Sequence, residues 1–550
     1  MKRFFAVLLA GLLLLSGCKQ QPSDTGSDTS SLSGEATPAA NSTIRVLYSS
    51  KDSLDPYSCV TEQNRILSQL LYDPLLILNN QYEIEYRLAE SVTVSGKLCT
   101  VVLRSAKFSD GSAVTPADVV FSFNKAKTSN TRYATALKHA VSAKATGANT
   151  LSVTLSRNDP YFANLLTFPI MKSGSDMLKD TDNRALPPIG AGRYIFNTDS
   201  SNLDPNVNYY EEASVITKVI TVDCPDNESV DQAVKAGMID LYYTDLTDNV
   251  IPKMNGNSAD ISQNHLVFLG VNPKNTQLAD SYFRQAISAA VDRETVCSAA
   301  YFSKAQPATG PFPSVWSPTS GFMTMQSKQN LATAAKNIEL AGYTKKDQDG
   351  FYLLKNNKPS TLSLLVNLEN SCRVSAAQKI AENITAAGIK ITLRSVSANE
   401  YKSRLNSGNY DLYIGEIRME ENMDLGGLAN LDSAAALSSA NNTSSVKTTA
   451  SSKPSTSSKA AAASSADSSA SDASATSSDE PAEITLTTAE AYQGFYNGQY
   501  TLQDLIVAFT AELPVIPVCF QNGLVIYSDR FGSGITPSRS DLFHGIALIK

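Results

Sequence analysis

A tract of low complexity interrupts the patterned sequence and limits how this chain can fold. Ser, Ala and Thr supply 36 of the 48 residues from 433 to 480, and Leu437 and Val446 are the only apolar residues there besides alanine. Such a segment buries too little apolar surface to offset the entropy lost on folding. Because patterned sequence resumes at Ile484, we predict a disordered insert within a folded domain. An alanine-driven helix at 459–463 is the alternative, which the flanking serines weaken.

The amino terminus has the order of a bacterial secretion signal. Two basic residues precede a run of 12 apolar residues, Phe4–Leu15. This run is too short to cross a bilayer of about 30 Å as a helix. It ends in Leu-Ser-Gly-Cys18, which resembles the lipobox of bacterial lipoproteins. The resemblance implies that residues 1–17 are a signal peptide and that the Cys18 thiol is lipidated. An ordinary secretory signal with a chance cysteine is the alternative.

The segment from residue 18 to 43 is rich in Ser, Thr, Gly, Pro and Asp, and we predict a flexible tether there. No later segment approaches 18 consecutive apolar residues. We therefore expect a lipid-anchored protein outside the cytoplasm, at the outer face of the cell membrane or in the periplasm. Lipidation with two or more acyl chains gives stable anchoring.

Composition excludes several functional classes. Hydrophobic residues make up 42% of the 550 residues, enough for large cores, and 46 basic against 53 acidic residues give a net charge of −7. An acidic chain without a basic cluster argues against nucleic acid as a partner. The three histidines, His139, His265 and His544, lie far apart, so we predict no metal site. The six cysteines besides Cys18 are widely spaced, and we favour buried free thiols over disulfides.

Local patterns between the tether and the insert mix strands and helices. Thr115-Pro116-Ala117-Asp118 carries the signals of a helix start, and residues 281–300 repeat apolar positions at helical spacing. The clearest unit is a helix at 375–387, a strand at 389–396, a short helix at 399–405 and a strand at 410–415. This order predicts a βαβ unit with a parallel pair of strands. Ligands bind beyond the carboxyl ends of such strands, which points to residues 415–424.

Several motifs occur in an order that resembles the family 5 bacterial extracellular solute-binding proteins, which serve ABC importers for oligopeptides, dipeptides, nickel and related ligands. The motifs span residues 44–431 and 484–546, and they are Phe108-Ser-Asp-Gly with Thr115-Pro-Ala-Asp, Gly190-Ala-Gly-Arg-Tyr, Ala236-Gly-Met-Ile-Asp, Phe283-Arg-Gln-Ala-Ile and Gly408-Asn-Tyr-Asp-Leu.

The resemblance implies an α/β, two-lobed periplasmic-binding-protein-like fold with a hinge, of type II, with an extra subdomain in the first lobe. It places the first lobe at 44–268 with the subdomain at about 71–189, the second lobe at 269–512, and a return to the first lobe at 513–550. Hinge closure around a ligand is the implied motion.

The function that the resemblance implies is to capture a small solute, in this family typically a short peptide, and to deliver it to the permease subunits of an ABC importer. No catalytic or cofactor motif such as G-x-S-x-G or a P-loop occurs, so we predict neither an enzyme nor a cofactor. A carboxylate-dependent extracellular hydrolase and a ligand sensor that does not transport are the alternatives.

The loop after residue 415 departs from the family pattern. Peptide-binding members usually carry a Trp and then an Asp that pairs with the peptide amino terminus, whereas here Glu416 and Met419 stand at about those positions. Glu416, Glu420 and Asp424 are candidates to bind an ammonium group. Arg418 is a candidate to bind a carboxylate. A solvated loop whose charges pair with one another is the alternative.

Two aromatic residues complete the candidate ligand site. Trp316, the only tryptophan, follows a rigid Gly-Pro-Phe-Pro loop that in the family lies near the interlobe cleft. Packing beneath the loop is its alternative role. Tyr57 follows Asp55-Pro56 in a loop that in the family faces the cleft, and Asp-Pro turn chemistry is its alternative role.

Overall fold

The computed structural model describes residues 42–212, 214–246, 251, 253–428, 486–532 and 535–545. The predicted signal peptide, the lipidation site Cys18, nearly all of the tether and the insert at 433–480 lie outside these residues. None of the helices within the described part has the length and apolarity that a bilayer crossing needs.

The described strands lie throughout this part of the chain and are β1 (Thr43–Tyr48), β2 (Leu76–Leu78), β3 (Ile84–Tyr86), β4 (Ala89–Ser95), β5 (Leu98–Leu103), β6 (Ala140–Ala145), β7 (Thr150–Leu155), β8 (Tyr194–Asn197), β9 (Asn202–Pro205), β10 (Lys218–Asp223), β11 (Leu241–Thr244), β12 (Asn257–Val271), β13 (Ala305–Pro307), β14 (Thr361–Asn367), β15 (Lys390–Val396), β16 (Leu412–Arg418) and β17 (Val515–Tyr527).

The described α-helices are α1 (Glu62–Leu71), α2 (Pro116–Thr128), α3 (Arg132–Ala136), α4 (Asn227–Lys235), α5 (Ser281–Ala290), α6 (Arg293–Ala300), α7 (Leu331–Leu340), α8 (Ser371–Ala386), α9 (Ala398–Ser407), α10 (Thr488–Asn497) and α11 (Leu502–Glu512).

Two large hydrophobic clusters define two lobes. The first cluster packs β1–β10, α1 and α2 together with the last described residues of the chain. Its sheets have the orders β1-β10-β9-β8 and β4-β5-β7-β6. The second cluster packs α5–α8, α10 and α11 on a sheet of order β11-β17-β12-β16-β14-β15. Each lobe therefore has its own core.

Strands β12 and β17 run antiparallel through both lobes. On β12, Ile261 packs in the first cluster and Leu266 in the second, and on β17 Val525 packs in the first and Phe520 in the second. The β12–β17 register shifts between Ile261 and His265, as expected of a β-bulge. We propose that the lobes pivot at this irregularity, which lies before the predicted boundary at residue 268.

The predicted βαβ unit differs from the observed one in the neighbours of its strands. Strands β15 and β16 do not pair; each is parallel to β14, which lies between them. The directly paired unit is β14-α8-β15. The consequence for the site is unchanged, because β16 still ends at the edge of the sheet to which the sequence pointed.

Helix starts follow their local signals. Asp118 Oδ2 accepts a hydrogen bond from the Thr115 backbone N–H at 2.9 Å, which is one half of a capping box. The helix predicted over 281–300 is two helices instead, α5 and α6. Asp292 caps the second by accepting from Thr295 N at 2.9 Å, and this new N-terminus interrupts the periodic pattern.

The Gly190-Ala-Gly192 motif is explained by close packing of backbones. A Cβ on Gly192 would lie 2.4 Å from the Leu70 carbonyl oxygen, and one on Gly190 would lie 2.0 Å from that of Leu71. Gly192 N also donates to the Leu71 carbonyl at 3.0 Å. Only glycine allows this approach to the end of α1.

The six cysteines in the described residues are buried and free, as predicted. Burial raises the pKa of the Cys59 and Cys99 thiols to about 12. These thiols are therefore protonated at neutral pH and act as small apolar side chains.

Candidate ligand site

Strand β16 ends at a cavity that is lined by the first lobe and by one residue of the second. Its last residue, Arg418, lines a cavity of about 320 Å³. The other walls come from α1, from residues 130–133 and 167–169 of the first lobe, and from residues 539–542. Ligand pockets commonly enclose about 300–1,000 Å³ and lie between domains. The cavity therefore has a size and a position suited to a small ligand.

Arginines predominate among the charged side chains that line the cavity. The five arginines and three acidic residues on its walls are Arg65, Arg87, Arg132, Arg418, Arg539, Glu62, Asp73 and Asp541.

Two of these arginines share one carboxylate. Arg539 Nη1 donates to Glu421 Oε1 at 2.6 Å, and Arg132 Nη1 lies 3.6 Å from the same oxygen. Glu421 belongs to residues 419–428, which follow β16 and are called here the β16 loop. Burial, and next the charge of Arg132, lower the pKa of Arg539. The two guanidiniums thus repel each other beside Glu421, and the charge of Glu420 also acts on Arg132.

Arg418 has a neutral hydrogen-bond partner. Its Nη2 donates to Gln263 Oε1 and lies 3.6 Å from Asp245 Oδ2. About a third of the Arg418 side chain is exposed. Among the sequence-predicted candidates, Arg418 is the residue that the structure places on the cavity wall.

The acidic residues of the cavity are engaged in the first lobe. Asp541 Oδ2 lies 3.2 Å from Arg87 Nη2 and 3.4 Å from Arg193 Nη1. Asp73 Oδ2 accepts hydrogen bonds from the hydroxyls of Tyr209 at 3.0 Å and Tyr210 at 2.6 Å. Burial raises the pKa of Asp73. The remaining carboxylate, Glu62, forms an exposed pair with Arg65 one turn along α1.

Glu416 is paired within the second lobe. Its carboxylate accepts from Arg373 through both oxygens, with Nε to Oε2 at 2.9 Å, and His265 Nε2 lies 3.7 Å away. Burial, and next the charge of Arg418, lower the pKa of His265 to about 4, so the imidazole is neutral at pH 7. An ammonium ligand would have to compete with Arg373 for Glu416.

Glu420 is half-buried beside Glu421. Burial, and next the Glu421 charge, raise the pKa of Glu420. Its backbone carbonyl accepts from Asn264 Nδ2 at 3.0 Å, which ties the β16 loop to the bulge of β12. Glu420 does not line the cavity.

Asp424 joins the β16 loop to the first lobe. Its Oδ2 lies 2.8 Å from Arg157 Nη2 and 3.3 Å from Lys138 Nζ, and its Oδ1 accepts from the Tyr492 hydroxyl at 2.7 Å. Burial raises the pKa of Asp424, but Arg157 and Lys138 outweigh it, so the pKa lies below its usual value. This carboxylate is bound by protein groups on several sides.

Tyr57 and Trp316 are buried, at 7% and 2% exposure. The Tyr57 hydroxyl donates to the Pro169 carbonyl, and Asp55 Oδ1 accepts from Tyr57 N at 2.9 Å, as in an Asp-Pro turn. The Trp316 ring packs edge-on against Phe312 of the second lobe and Tyr161 of the first, with centroids 5.2 and 4.8 Å apart. Trp316 thus reports a contact between the lobes.

Sequence reasoning missed Arg132, Arg539, Arg157 and Asp159. None belongs to a local motif, and their partners lie more than 100 residues away. Within the described residues, no group of three or more His, Cys, Asp and Glu side chains is arranged to hold a metal ion.

Comparisons with known proteins agree with this architecture. The chain is 24% identical over 370 residues to the oligopeptide-binding protein AppA of Bacillus subtilis, covering 63% of this chain and 67% of the relative. It is 24% identical over 417 residues to the periplasmic oligopeptide-binding protein OppA of Salmonella typhimurium, covering 67% and 73%. The unliganded open form of the periplasmic murein tripeptide binding protein MppA has a TM-score of 0.65 at 18% identity, over 92% of this chain and 96% of that chain.

The fold likeness confirms the predicted two-lobed, periplasmic-binding-protein-like α/β class. The model of the bacterial extracellular solute-binding proteins, family 5 Middle, matches residues 83–436. Proteins of this kind bind solutes outside the cytoplasm and are not enzymes, which confirms the non-enzyme prediction and excludes the hydrolase alternative. Because the match covers more than half of the chain, this protein belongs to family 5 of the bacterial extracellular solute-binding proteins.

Proposed function

We propose that this protein captures a short peptide in the cavity beside Arg418 and delivers it to the permease of an ABC importer. The observation that carries the proposal is the cavity itself, in which Arg418 of the second lobe meets a wall that the first lobe otherwise forms. A ligand there contacts both halves of the molecule at once. It therefore favours the closed arrangement in proportion to its extra contacts in that state.

The names of the relatives support a peptide as the ligand. Two of them are named as oligopeptide-binding proteins, and a structural neighbour is named as a murein tripeptide binding protein. A closed cavity excludes water, so a charged peptide terminus needs a partner inside it. Arg418 is the sequence-predicted residue best placed for that role.

Closure has a physical basis in the elements that join the lobes. β12 and β17 are the long strands that pass between the two cores, and the β16 loop contacts the first lobe through Glu421, Asn422 and Asp424. A pivot at the β12 bulge would separate these contacts and open the cavity. This is the hinge type of motion.

We also propose that the protein is anchored through lipidated Cys18. The support is the sequence alone: a basic start, a short apolar run and Leu-Ser-Gly before the cysteine. β1 begins at Thr43, so residues 19–42 separate the anchor from the folded lobes. In cells fed a radiolabelled fatty acid, the parent should be labelled and enter a detergent phase, and Cys18→Ala should do neither. Equal labelling of both would refute lipidation at this residue.

Peptide binding is tested by native mass spectrometry and calorimetry on the full chain. We expect a co-purifying peptide, or saturable one-to-one binding from a set of short peptides that are recovered intact. Arg418→Ala should weaken binding about tenfold or more, because truncating a charge partner that the bound peptide buries typically costs about 2–5 kcal/mol.

The matched control is Arg184→Ala. Arg184 pairs with Asp180 and Asp182 in an exposed turn and does not line the cavity. The variant should therefore bind peptide with the affinity of the parent. Failure to bind any peptide, or equal losses in both variants, would contradict the proposal.

A further inference from the structure

We propose that the cavity selects acidic peptides, and that Arg132, Arg418 and Arg539 recognise their carboxylates. This inference rests on the proposed peptide-binding function and names the ligand class of the same site. It concerns the net charge of the ligand, which neither the family nor the relatives' names specify.

The three guanidiniums reach one cavity from three separate parts of the chain. Arg132 begins α3 in the first lobe, Arg418 ends β16 in the second, and Arg539 lies near the end of the described residues. A ligand that binds all three therefore bridges the two lobes. The site is thus completed only when the lobes are together.

Among the described residues, two carboxylates, those of Glu421 and Asp245, form close ion pairs with these three guanidiniums. Arg132 and Arg539 share Glu421, and Arg418 donates to the neutral amide of Gln263 with Asp245 at 3.6 Å. Glu421 does not itself line the cavity. The three arginines therefore present positive charge to a ligand in the cavity, whereas Glu421 lies behind the wall.

The acidic groups on the cavity wall do not supply the missing charge. Asp541 already serves Arg87 and Arg193, and Asp73 accepts from two tyrosine hydroxyls. Glu62 pairs with Arg65 on an exposed helix face. Half-buried Glu420 lies beside Glu421 and feels the charges of Arg132 and Arg539, but it does not line the cavity.

A carboxylate is the ligand group that best satisfies such a wall. Guanidinium and carboxylate form paired, charge-assisted hydrogen bonds, and arginine stays charged when buried. Leaving a buried cation without an anion is costly. A peptide with an acidic side chain brings a second carboxylate besides its own terminus, whereas a basic peptide adds repulsion.

The experiment uses two tripeptides that differ by one charge, Ala-Glu-Ala and Ala-Gln-Ala, with glutarate as a dicarboxylate that is not a peptide. Calorimetry on the full chain should give at least about tenfold tighter binding of the Glu peptide. Arg132→Gln and Arg418→Gln should each reduce this preference to less than about threefold, whereas Arg184→Gln should keep it.

The outcomes distinguish the proposed selectivity for acidic peptides from the proposed binding of peptides in general. Equal affinity for the two tripeptides, or a preference for the Gln peptide, overturns the selectivity while leaving peptide binding intact. Binding of glutarate without either peptide supports carboxylate recognition and contradicts the peptide proposal. Binding of none of the three overturns both. A thermal melt of each variant confirms folding. If Arg132→Gln fails to fold, Arg418→Lys, which keeps the charge but loses the paired hydrogen bonds, should retain more of the preference than Arg418→Gln.

Discussion

The guanidinium of Arg157 lies 2.8 Å from the carboxylate of Asp424, and this buried ion pair joins the segment after β7 to the β16 loop. The Arg157 side chain is also placed over the Tyr496 ring, 3.5 Å from its centroid, and donates to the Tyr492 hydroxyl at 2.8 Å. The same cation thus contacts the β16 loop and α10. The ion pair is one of several polar contacts between the first lobe and the β16 loop, with Lys138 to Asp424 and Asn422 to Asp159 among the others.

Removing this cation should destabilise the folded protein. Arg157→Gln leaves Asp424 with Lys138 and Tyr492 but removes the closest opposite charge from a carboxylate that is 3% exposed. We expect the free energy of unfolding to fall by about 1–3 kcal/mol. Urea denaturation measures it, with Arg184→Gln as a control that should stay within about 0.5 kcal/mol of the parent. An unchanged Arg157→Gln would mean that the contact contributes nothing to stability.

Protonation of Asp159 should make the stability of the protein depend on pH. This carboxylate is buried, accepts from Asn422 Nδ2 at 2.7 Å, and has its pKa raised by burial to about 6. Because this pKa lies above the ordinary 3.8, the folded protein binds the proton more tightly, so the contribution to stability increases as the pH falls from about 6 towards 4. At pH 7 the ionised Asp159 is destabilising.

Asp159→Asn should therefore melt about 1–3 °C above the parent at pH 7 and lose this advantage at pH 5. The comparison must be between variant and parent at each pH, because neutral His265 has the opposite dependence. Its pKa of about 4 lies below the ordinary 6.5, so its contribution is lost as the pH falls through this range. A constant difference between variant and parent at both pH values would contradict a raised pKa of Asp159.

The fluorescence of Trp316 should report the contact between the two lobes. It is the only tryptophan in the chain, and its ring packs against Tyr161 of the first lobe. Removing that partner with Tyr161→Ala should increase acrylamide quenching, because one face of the indole is uncovered. Phe302→Ala, at a 57% exposed site, should leave quenching unchanged. Equal quenching of parent and Tyr161→Ala would mean that the two lobes do not meet at Trp316 in solution.

The Gly190-Ala-Gly192 motif gives a test of backbone packing. Gly192→Ala places a Cβ 2.4 Å from the Leu70 carbonyl, and we expect a loss of about 1–3 kcal/mol, as for other overpacked sites. Gly147→Ala is the matched control, since its new Cβ would meet Thr150 at an ordinary 3.6 Å. Denaturation curves of the two variants check the difference, and equal stabilities would contradict the close approach.

Local features of this fold were predictable from short stretches of sequence. The start of α2 at Thr115 and Pro116, the end of α8 before Gly388 with φ of +88°, and the strands β15 and β16 follow from capping, turn chemistry and periodicity. These signals act over a few residues, so no tertiary information is needed to read them. The ordered set of such motifs was also enough to identify the family.

The order of strands required the three-dimensional structure. Local pattern gave β15, a helix and β16 in sequence, but the position of β14 between them depends on which edges meet in the folded sheet. The division of α5 from α6 at Asp292 had a local cause, yet continuous apolar spacing concealed it. The spacing of apolar residues within a strand does not reveal which distant strand it pairs with.

The sequence by itself determined several helices and strands, the lobed family fold and the position of Arg418 shortly after a predicted strand, which in the structure continues as far as Arg418. Only the tertiary structure decided that Arg132 and Arg539 share Glu421 beside it, and that Asp424 is bound by Arg157. Helix caps and periodicity are set by neighbours along the chain, whereas these pairs join residues more than 100 positions apart. Charge pairing at such separation follows from how the two lobes pack, which local sequence does not encode.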